Sequence, residues 1–160
     1  MGEGQENGAP HLSYEAFEAI APEAKAALLA LGKSVADSGF DLALTELVKL
    51  RVSQINGCAF CVQFHLNIAR RMHVGAAKLD LLTVWREAGL FSAREEAALA
   101  WAEHLTAMAT ASVPDSAYAM LRAHFSEAEA VQLSVAIGNV TAWNRIAGGL
   151  RFPPPVAQYR

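Results

Sequence analysis

Apolar residues after Asp41 recur at steps of three and four, which is the period of an amphipathic helix. They are Leu44, Leu47, Val48, Val52 and Ile55. The dipeptide Asn56-Gly57 follows this stripe and favours the left-handed backbone at which helices commonly end. The pattern therefore predicts a helix from about Asp41 to Ile55, with Cys58 directly after its end.

The same period and the usual start and stop residues predict six further helices. Their approximate spans are 22–36, 58–73, 76–88, a helix capped by Ser92, 114–125, and a helix capped by Ser126. Ser92 and Ser126 each have glutamate three residues on, which is the pattern of a capping box. Strand alternation bounded by hairpin turns does not occur, so we expect an all-α fold of about seven helices.

The sequence shows no linker and no break in composition. This uniformity predicts one domain over residues 13–152. Residues 1–12 are predicted to be a mobile tail, because they are rich in Gly and Glu and contain no apolar run. Residues 153–160 are expected to form a C-terminal tail, since Pro153-Pro154-Pro155 does not continue a helix.

Composition narrows the classes of function. Hydrophobic residues make up 53% of the 160 residues and charged residues 18%, which leaves apolar surface for self-association. The net charge of −3 provides no cationic surface for nucleic acid. No apolar stretch reaches the roughly 20 residues of a membrane span. The N-terminus does not resemble a secretory signal, so we expect a cytoplasmic homo-oligomer.

Cys58, Cys61 and His65 are the residues that carry candidate chemistry. On a helix that begins at Cys58, rotation of about 100° per residue places all three on one face. Two cysteines one turn apart can form a disulfide, and the helix N-terminus favours the thiolate. Helix position alone favours Cys58 as the more acidic and more exposed thiol. His65 can then accept a proton and return it to a leaving group.

Glu46 lies on the preceding predicted helix and can be brought back beside His65, where its carboxylate would orient the imidazole. Other interpretations of these residues remain open. Glu46 and Lys49 can form a solvated ion pair, and the cysteines can be buried packing residues. Together with His65 and Glu46, the cysteines also have the residue types of a zinc site, although zinc ligands usually come from separate loops.

The chain resembles the AhpD-like alkylhydroperoxidase branch of the carboxymuconolactone decarboxylase family. The residues that match the active-site signature of this branch are Glu46, the segment Cys58-Ala59-Phe60-Cys61 and His65. The similarity extends over residues 14–152. It includes Ile55-Asn56-Gly57, Trp85-Arg86-Glu87-Ala88, the stretch 94–103 and Ala142-Trp143-Asn144-Arg145. The resemblance implies an all-helical fold, assembly as trimers or hexamers, and hydroperoxide reduction by the cysteine pair without a bound cofactor or metal.

The resemblance also implies a role for each site residue. Cys61 attacks the peroxide, Cys58 resolves the sulfenic acid to a disulfide, and Glu46 and His65 relay protons. An external dithiol or redox protein restores the thiols. Phe60 stands where the best-known members have a histidine, and its ring cannot carry a proton. The alternatives are a thiol-disulfide oxidoreductase or redox sensor, then a lactone decarboxylase or a zinc-bearing structural oligomer.

Overall fold

The structure, a computed structural model, describes residues 8–156. Within this range it contains nine α-helices, one short 3₁₀ turn and no strand, which confirms the all-α fold class. The helices are α1 (Tyr14–Ile20), α2 (Pro22–Asp37), α3 (Leu42–Ile55), α4 (Ala59–Arg71), α5 (Ala76–Asp80), α6 (Trp85–Ala88), α7 (Ala93–Thr106), α8 (Asp115–Arg122) and α9 (Glu127–Gly149). None of them is long and apolar enough to cross a membrane.

Helix α3 lies at the centre of the fold, and α4, α7 and α9 pack around it. It begins where the Asp41 side chain accepts a hydrogen bond from the Leu44 backbone N–H at 3.0 Å. It ends before Gly57, whose φ of 66° is the left-handed conformation that glycine adopts without strain. The predicted end at Asn56-Gly57 is confirmed, and this turn directs the chain into α4.

The two predicted capping boxes are confirmed. Ser92 and Glu95 begin α7, and Ser126 and Glu129 begin α9, each pair exchanging side-chain and backbone hydrogen bonds. The buried side chains of α7 and α9 meet those of α3 in the largest hydrophobic cluster. Helix α4, which carries the cysteines, packs against α3 and α9.

The single helix predicted over 76–88 is wrong, because the chain there forms α5, a 3₁₀ turn over Leu82–Val84, and α6. Leu79, Leu82 and Trp85 are all buried in one cluster and lie three residues apart. A 3₁₀ turn has three residues per turn and places such a series on one face, whereas an α-helix would rotate the third side chain away. Burial of these side chains therefore overrides continuous helical propensity.

Helix α1 accounts for the other difference from the expected seven helices. Ser13 caps it by accepting a hydrogen bond from the Ala16 N–H at 3.0 Å. With only 7 residues it is too short to show a clear apolar period. Its buried residue, Phe17, packs against the two cysteines, so α1 covers the site.

The predicted tails are only partly within the described residues. Residues 1–7 and 157–160 lie outside them. Nearer the domain, the backbone N–H groups of His11 and Leu12 donate to the Leu150 carbonyl oxygen at 3.2 and 3.1 Å. The chain before α1 is thus hydrogen-bonded to the end of α9.

Candidate active site

The cysteine pair lies at the N-terminus of α4. Cys58 is the residue before the first helical position, Ala59, and Cys61 lies in the first turn. Their sulfur atoms are joined in a disulfide, with the Cα atoms 5.3 Å apart. The Cys61 backbone N–H also donates to Cys58 Sγ at 3.2 Å. Helix spacing therefore permits the disulfide without unwinding α4, and one N–H group of the helix start donates to a sulfur atom of the pair.

Both cysteines are buried, which contradicts the expectation that Cys58 is the more exposed thiol. Cys58 is 1% exposed and Cys61 is 3% exposed. The cover over Cys58 comes from α1, from the end of α9 and from Phe152. A Cβ atom at Gly148 would lie only 3.6 Å from Cys58 Cβ. Cys61, in contrast, forms part of a cavity wall.

Glu46 and His65 are brought together by the packing of α3 against α4. His65 Nδ1 lies 2.7 Å from Glu46 Oε2, and the Lys49 ammonium donates to Glu46 Oε1 at 2.9 Å. The Glu46–Lys49 pair predicted as one alternative does form, but it is not solvated, because Glu46 is 6% exposed. Each carboxylate oxygen thus has its own partner, and the imidazole is held through Nδ1.

Opposing influences act on the pKa of Glu46. Burial is the largest of them and raises the pKa, because it disfavours the charged carboxylate. The hydrogen bond and charge of His65, together with the charge of Lys49, favour the carboxylate and lower the pKa below its usual value overall. Glu46 is therefore an ionised partner for His65 at neutral pH.

A cavity of about 340 Å³ connects Cys61 and His65 to the space between α2, α4 and α9. Its walls are mainly apolar and aromatic. They are formed by Tyr14, Leu28, Leu29, Gly32, Lys33, Ala36, Lys49, Phe60, Cys61, Phe64, His65, Asn139, Val140 and Trp143. This volume is within the range of cavities that hold small organic molecules.

Phe60 takes part in an aromatic stack along this cavity. Its ring lies 5.6 Å from the Tyr14 ring and 5.9 Å from the Phe64 ring, nearly parallel to both. The Phe152 ring meets it edge-on at 5.5 Å. Phe60 therefore contributes a hydrophobic wall to the cavity and no titratable group.

An amide network that the sequence pattern does not predict lies behind the cysteines. Asn144 Oδ1 accepts from Asn56 Nδ2 at 2.9 Å, and Asn144 Nδ2 donates to Ser53 Oγ at 3.0 Å. The Cys58 N–H donates to the Ser53 carbonyl oxygen at 3.1 Å. The network thus ties α9 to the turn that positions Cys58. These partners are about 90 residues apart, and only the match at Ala142-Trp143-Asn144-Arg145 marked this part of α9.

Replacing Asn144 with alanine is expected to lower the free energy of unfolding by about 1–3 kcal/mol, because it removes the two hydrogen bonds that this buried amide makes with Ser53 and Asn56. Urea denaturation with constant slope measures the change. Arg145→Ala, at the neighbouring exposed position of the same helix, is the matched control and should shift the midpoint much less. An Asn144→Ala variant as stable as the parent would contradict a structural role for the network.

Metal binding by the same residues finds no geometric support in the described part of the chain. Among residues 8–156, no group of three or more His, Cys, Asp or Glu side chains is placed to hold a metal ion. In this structure the two sulfur atoms are bonded to each other, and Glu46 already pairs with His65 and Lys49.

The chain is similar to known proteins over most of its length. Residues 22–104 match the model of the carboxymuconolactone decarboxylase family. The uncharacterised protein YdfG of Bacillus subtilis is 38% identical over 128 residues, which is 80% of this chain and 87% of that protein.

Two solved structures are also similar. One is a protein of unknown function from Agrobacterium tumefaciens, described as a candidate antioxidant defence protein AhpD. It is 40% identical, with a TM-score of 0.87 over 93% of this chain and all of that one. The debrominase Bmp8 shares the fold at a TM-score of 0.73, with 22% identity over 84% of this chain and 73% of its own. The family match, the sequence identity and the shared fold together show that the chain belongs to the AhpD-like branch of the carboxymuconolactone decarboxylase family.

Proposed function

We propose that this protein is a hydroperoxide reductase in which Cys61 attacks the peroxide and Cys58 resolves the product. The observation that carries the proposal is the position of Cys61 in the wall of an apolar cavity, one helical turn from His65, while Cys58 lies behind it. A substrate in the cavity can approach Cys61 and His65 together. The family relationship and the AhpD-like neighbour support the same class of chemistry.

In the first step, the Cys61 thiolate attacks the terminal oxygen of a hydroperoxide, ROOH. The S–O bond forms, the O–O bond breaks, and the leaving RO⁻ takes a proton to become the alcohol ROH. Cys61 is oxidised to a sulfenic acid as the peroxide is reduced. The Cys58 thiolate then attacks the Cys61 sulfur, and the departing hydroxide is protonated to water. The product is the disulfide seen in the structure.

His65 transfers the protons in this scheme, and Glu46 supports it in this relay. His65 first accepts the thiol proton of Cys61 and then passes it to the alkoxide that leaves. The Glu46 carboxylate holds Nδ1, so the other ring nitrogen is the one available for proton transfer. His65 and, to a smaller extent, Lys49 favour the ionised carboxylate, and its negative charge stabilises the imidazolium between the two transfers.

The alternative function, a general thiol-disulfide oxidoreductase or redox sensor, uses the same residues. Exchange with a folded protein requires a sulfur atom that the partner can reach. Side chains that are 1% and 3% exposed favour a small substrate arriving through the cavity over direct attack on a protein disulfide. We therefore place peroxide reduction first.

A complete cycle requires an external dithiol to reduce the disulfide, and the same burial of both sulfur atoms favours a small molecule over a redox protein as that dithiol. We also propose that the protein is cytoplasmic and homo-oligomeric. Leu29 and Leu31 of α2 are 51% and 43% exposed, which supports an apolar contact between subunits. The oligomer would place α2, one wall of the cavity, at a subunit boundary.

The proposal is tested by adding one equivalent of cumene hydroperoxide to the fully reduced protein without any reductant. We expect one equivalent of 2-phenylpropan-2-ol and the loss of both free thiols, with continuous turnover once dithiothreitol is added. Thiol titration and chromatography of the alcohol provide the measurement. Alcohol formation that leaves both thiols free, or no alcohol at all, would exclude the cysteine pair as the reductant of peroxides.

A further inference from the structure

Asn139 places a buried polar amide in the mainly apolar wall of the cavity. It lies on α9 and is 5% exposed. The lysine and histidine side chains of this wall have partners: Lys49 and His65 pair with Glu46, and Lys33 pairs with Asp37. The Asn139 carbonyl oxygen has no hydrogen-bond partner among residues 8–156.

The facing helix α2 is shaped around this amide. Gly32 lies in the interior of α2, where glycine costs about 1 kcal/mol relative to alanine. A Cβ atom at Gly32 would lie 3.0 Å from Asn139 Nδ2, closer than side-chain atoms ordinarily pack. A helix-weakening glycine thus makes room for a buried amide that lacks one partner.

Neither the glycine within α2 nor the unpartnered oxygen of Asn139 stabilises the folded protein. A buried polar group without a partner is destabilising, and an apolar residue of the same size would fill the place better. Buried groups of this kind are few in native proteins, and a role in catalysis or binding is one of the reasons for which they are retained. The terminal torsion of an asparagine side chain is broad, so its amide can turn to present either the oxygen or the nitrogen to the cavity.

We propose that Asn139 is a specificity-determining residue that hydrogen-bonds a polar group on an otherwise apolar ligand. The ligand class is an organic hydroperoxide, and the alcohol made from it, with an aromatic or branched body and a hydroxyl group away from the reacting centre. The body packs against the stack of Tyr14, Phe60 and Phe64, and the hydroxyl pairs with the Asn139 amide. Assignment of hydroperoxides as the substrate rests on the proposed function, whereas recognition of the hydroxyl does not.

The test measures binding of stable alcohols to the disulfide form, so that no turnover is needed. The probes are 2-phenylpropan-2-ol and its ortho-, meta- and para-hydroxymethyl derivatives, titrated by calorimetry into the parent, Asn139→Leu and Leu28→Ala proteins. We expect at least one hydroxymethyl isomer to bind the parent about three- to tenfold more tightly than the plain alcohol, the range of one net hydrogen bond. Asn139→Leu should lose the preference for the hydroxymethyl isomer. Leu28→Ala should bind both ligands more weakly but retain the preference.

A preference that survives in Asn139→Leu, or its absence for all three isomers in the parent, would overturn the proposal. The melting temperature of Asn139→Leu provides an independent readout, and we expect it to equal or exceed that of the parent. If leucine prevents folding, Asn139→Ala tests the same preference without added bulk. Failure of peroxide reduction in the stoichiometric assay would remove the proposed function but leave the binding result standing.

Discussion

Cys61→Ser is expected to abolish peroxide consumption, because a serine hydroxyl neither attacks the O–O bond nor forms a sulfenic acid. The remaining rate should equal that of the buffer with its dithiol. Loss of the disulfide also affects stability, so the melting temperature of the variant is compared with that of the dithiol-reduced parent. Coupled consumption of cumene hydroperoxide in the presence of dithiothreitol measures the effect.

Cys58→Ser is the matched control for this prediction, because it removes the same disulfide and leaves the proposed nucleophile in place. It should still reduce one equivalent of peroxide, and any slower cycling then depends on the external thiol attacking the Cys61 sulfenic acid. Full activity in Cys61→Ser would contradict the assignment of Cys61 as the attacking residue.

Glu46→Gln is expected to lower the rate of peroxide reduction about a hundredfold, at the lower end of the contribution of general acid-base catalysis. Glutamine keeps the size of the side chain and can still accept a hydrogen bond from His65. It does not provide the negative charge that stabilises the imidazolium. The rate of thiol loss in a single turnover isolates this chemical step from reduction by the dithiol.

The same variant is expected to change how stability depends on pH. The pKa of Glu46 is lowered in the folded protein, so its stabilising contribution is present above the unfolded value of about 4.3 and is lost as pH falls through the lower folded value. Glu46→Gln should therefore flatten the decline in unfolding free energy below about pH 5.

The control for the effect of Glu46→Gln on activity is Glu129→Gln, which lies outside the cavity and should retain the parental rate.

Much of the fold was predictable because its signals are local. The apolar stripe after Asp41, the stop at Asn56-Gly57 and the capping boxes at Ser92 and Ser126 each depend on residues within a few positions. The meeting of Glu46 and His65 was also predictable in outline, because a tight turn between two helices brings their facing side chains together. Their distance of 2.7 Å and their burial came only from the structure.

The remaining features depend on contacts between distant parts of the chain. The break within 76–88 follows from three side chains sharing one buried cluster, and no local propensity signals it. Burial of Cys58 depends on α1 and on Gly148, some 40 and 90 residues away. The importance of Asn139 depends on an oxygen that lacks a partner, which is a property of the packed structure alone.

These long-range contacts also change the expected relation between the two cysteines. Helix position had favoured Cys58 as the exposed thiol, but α1 and the end of α9 cover it, and the cavity reaches Cys61. The residue proposed to attack the peroxide is thus the one that a small molecule can reach. Access to the cavity, more than position at the helix terminus, distinguishes the two proposed roles.

The most direct test of the central claim is to locate the sulfenic acid by mass spectrometry. Reduced Cys58→Ser and Cys61→Ser proteins are each treated with one equivalent of cumene hydroperoxide in the presence of dimedone, and the labelled peptide is sequenced. We predict a dimedone adduct on Cys61 in Cys58→Ser and no peroxide-dependent adduct on Cys58 in Cys61→Ser. An adduct on Cys58 alone would mean that Cys58 attacks the peroxide and Cys61 resolves the sulfenic acid, which contradicts the proposed roles.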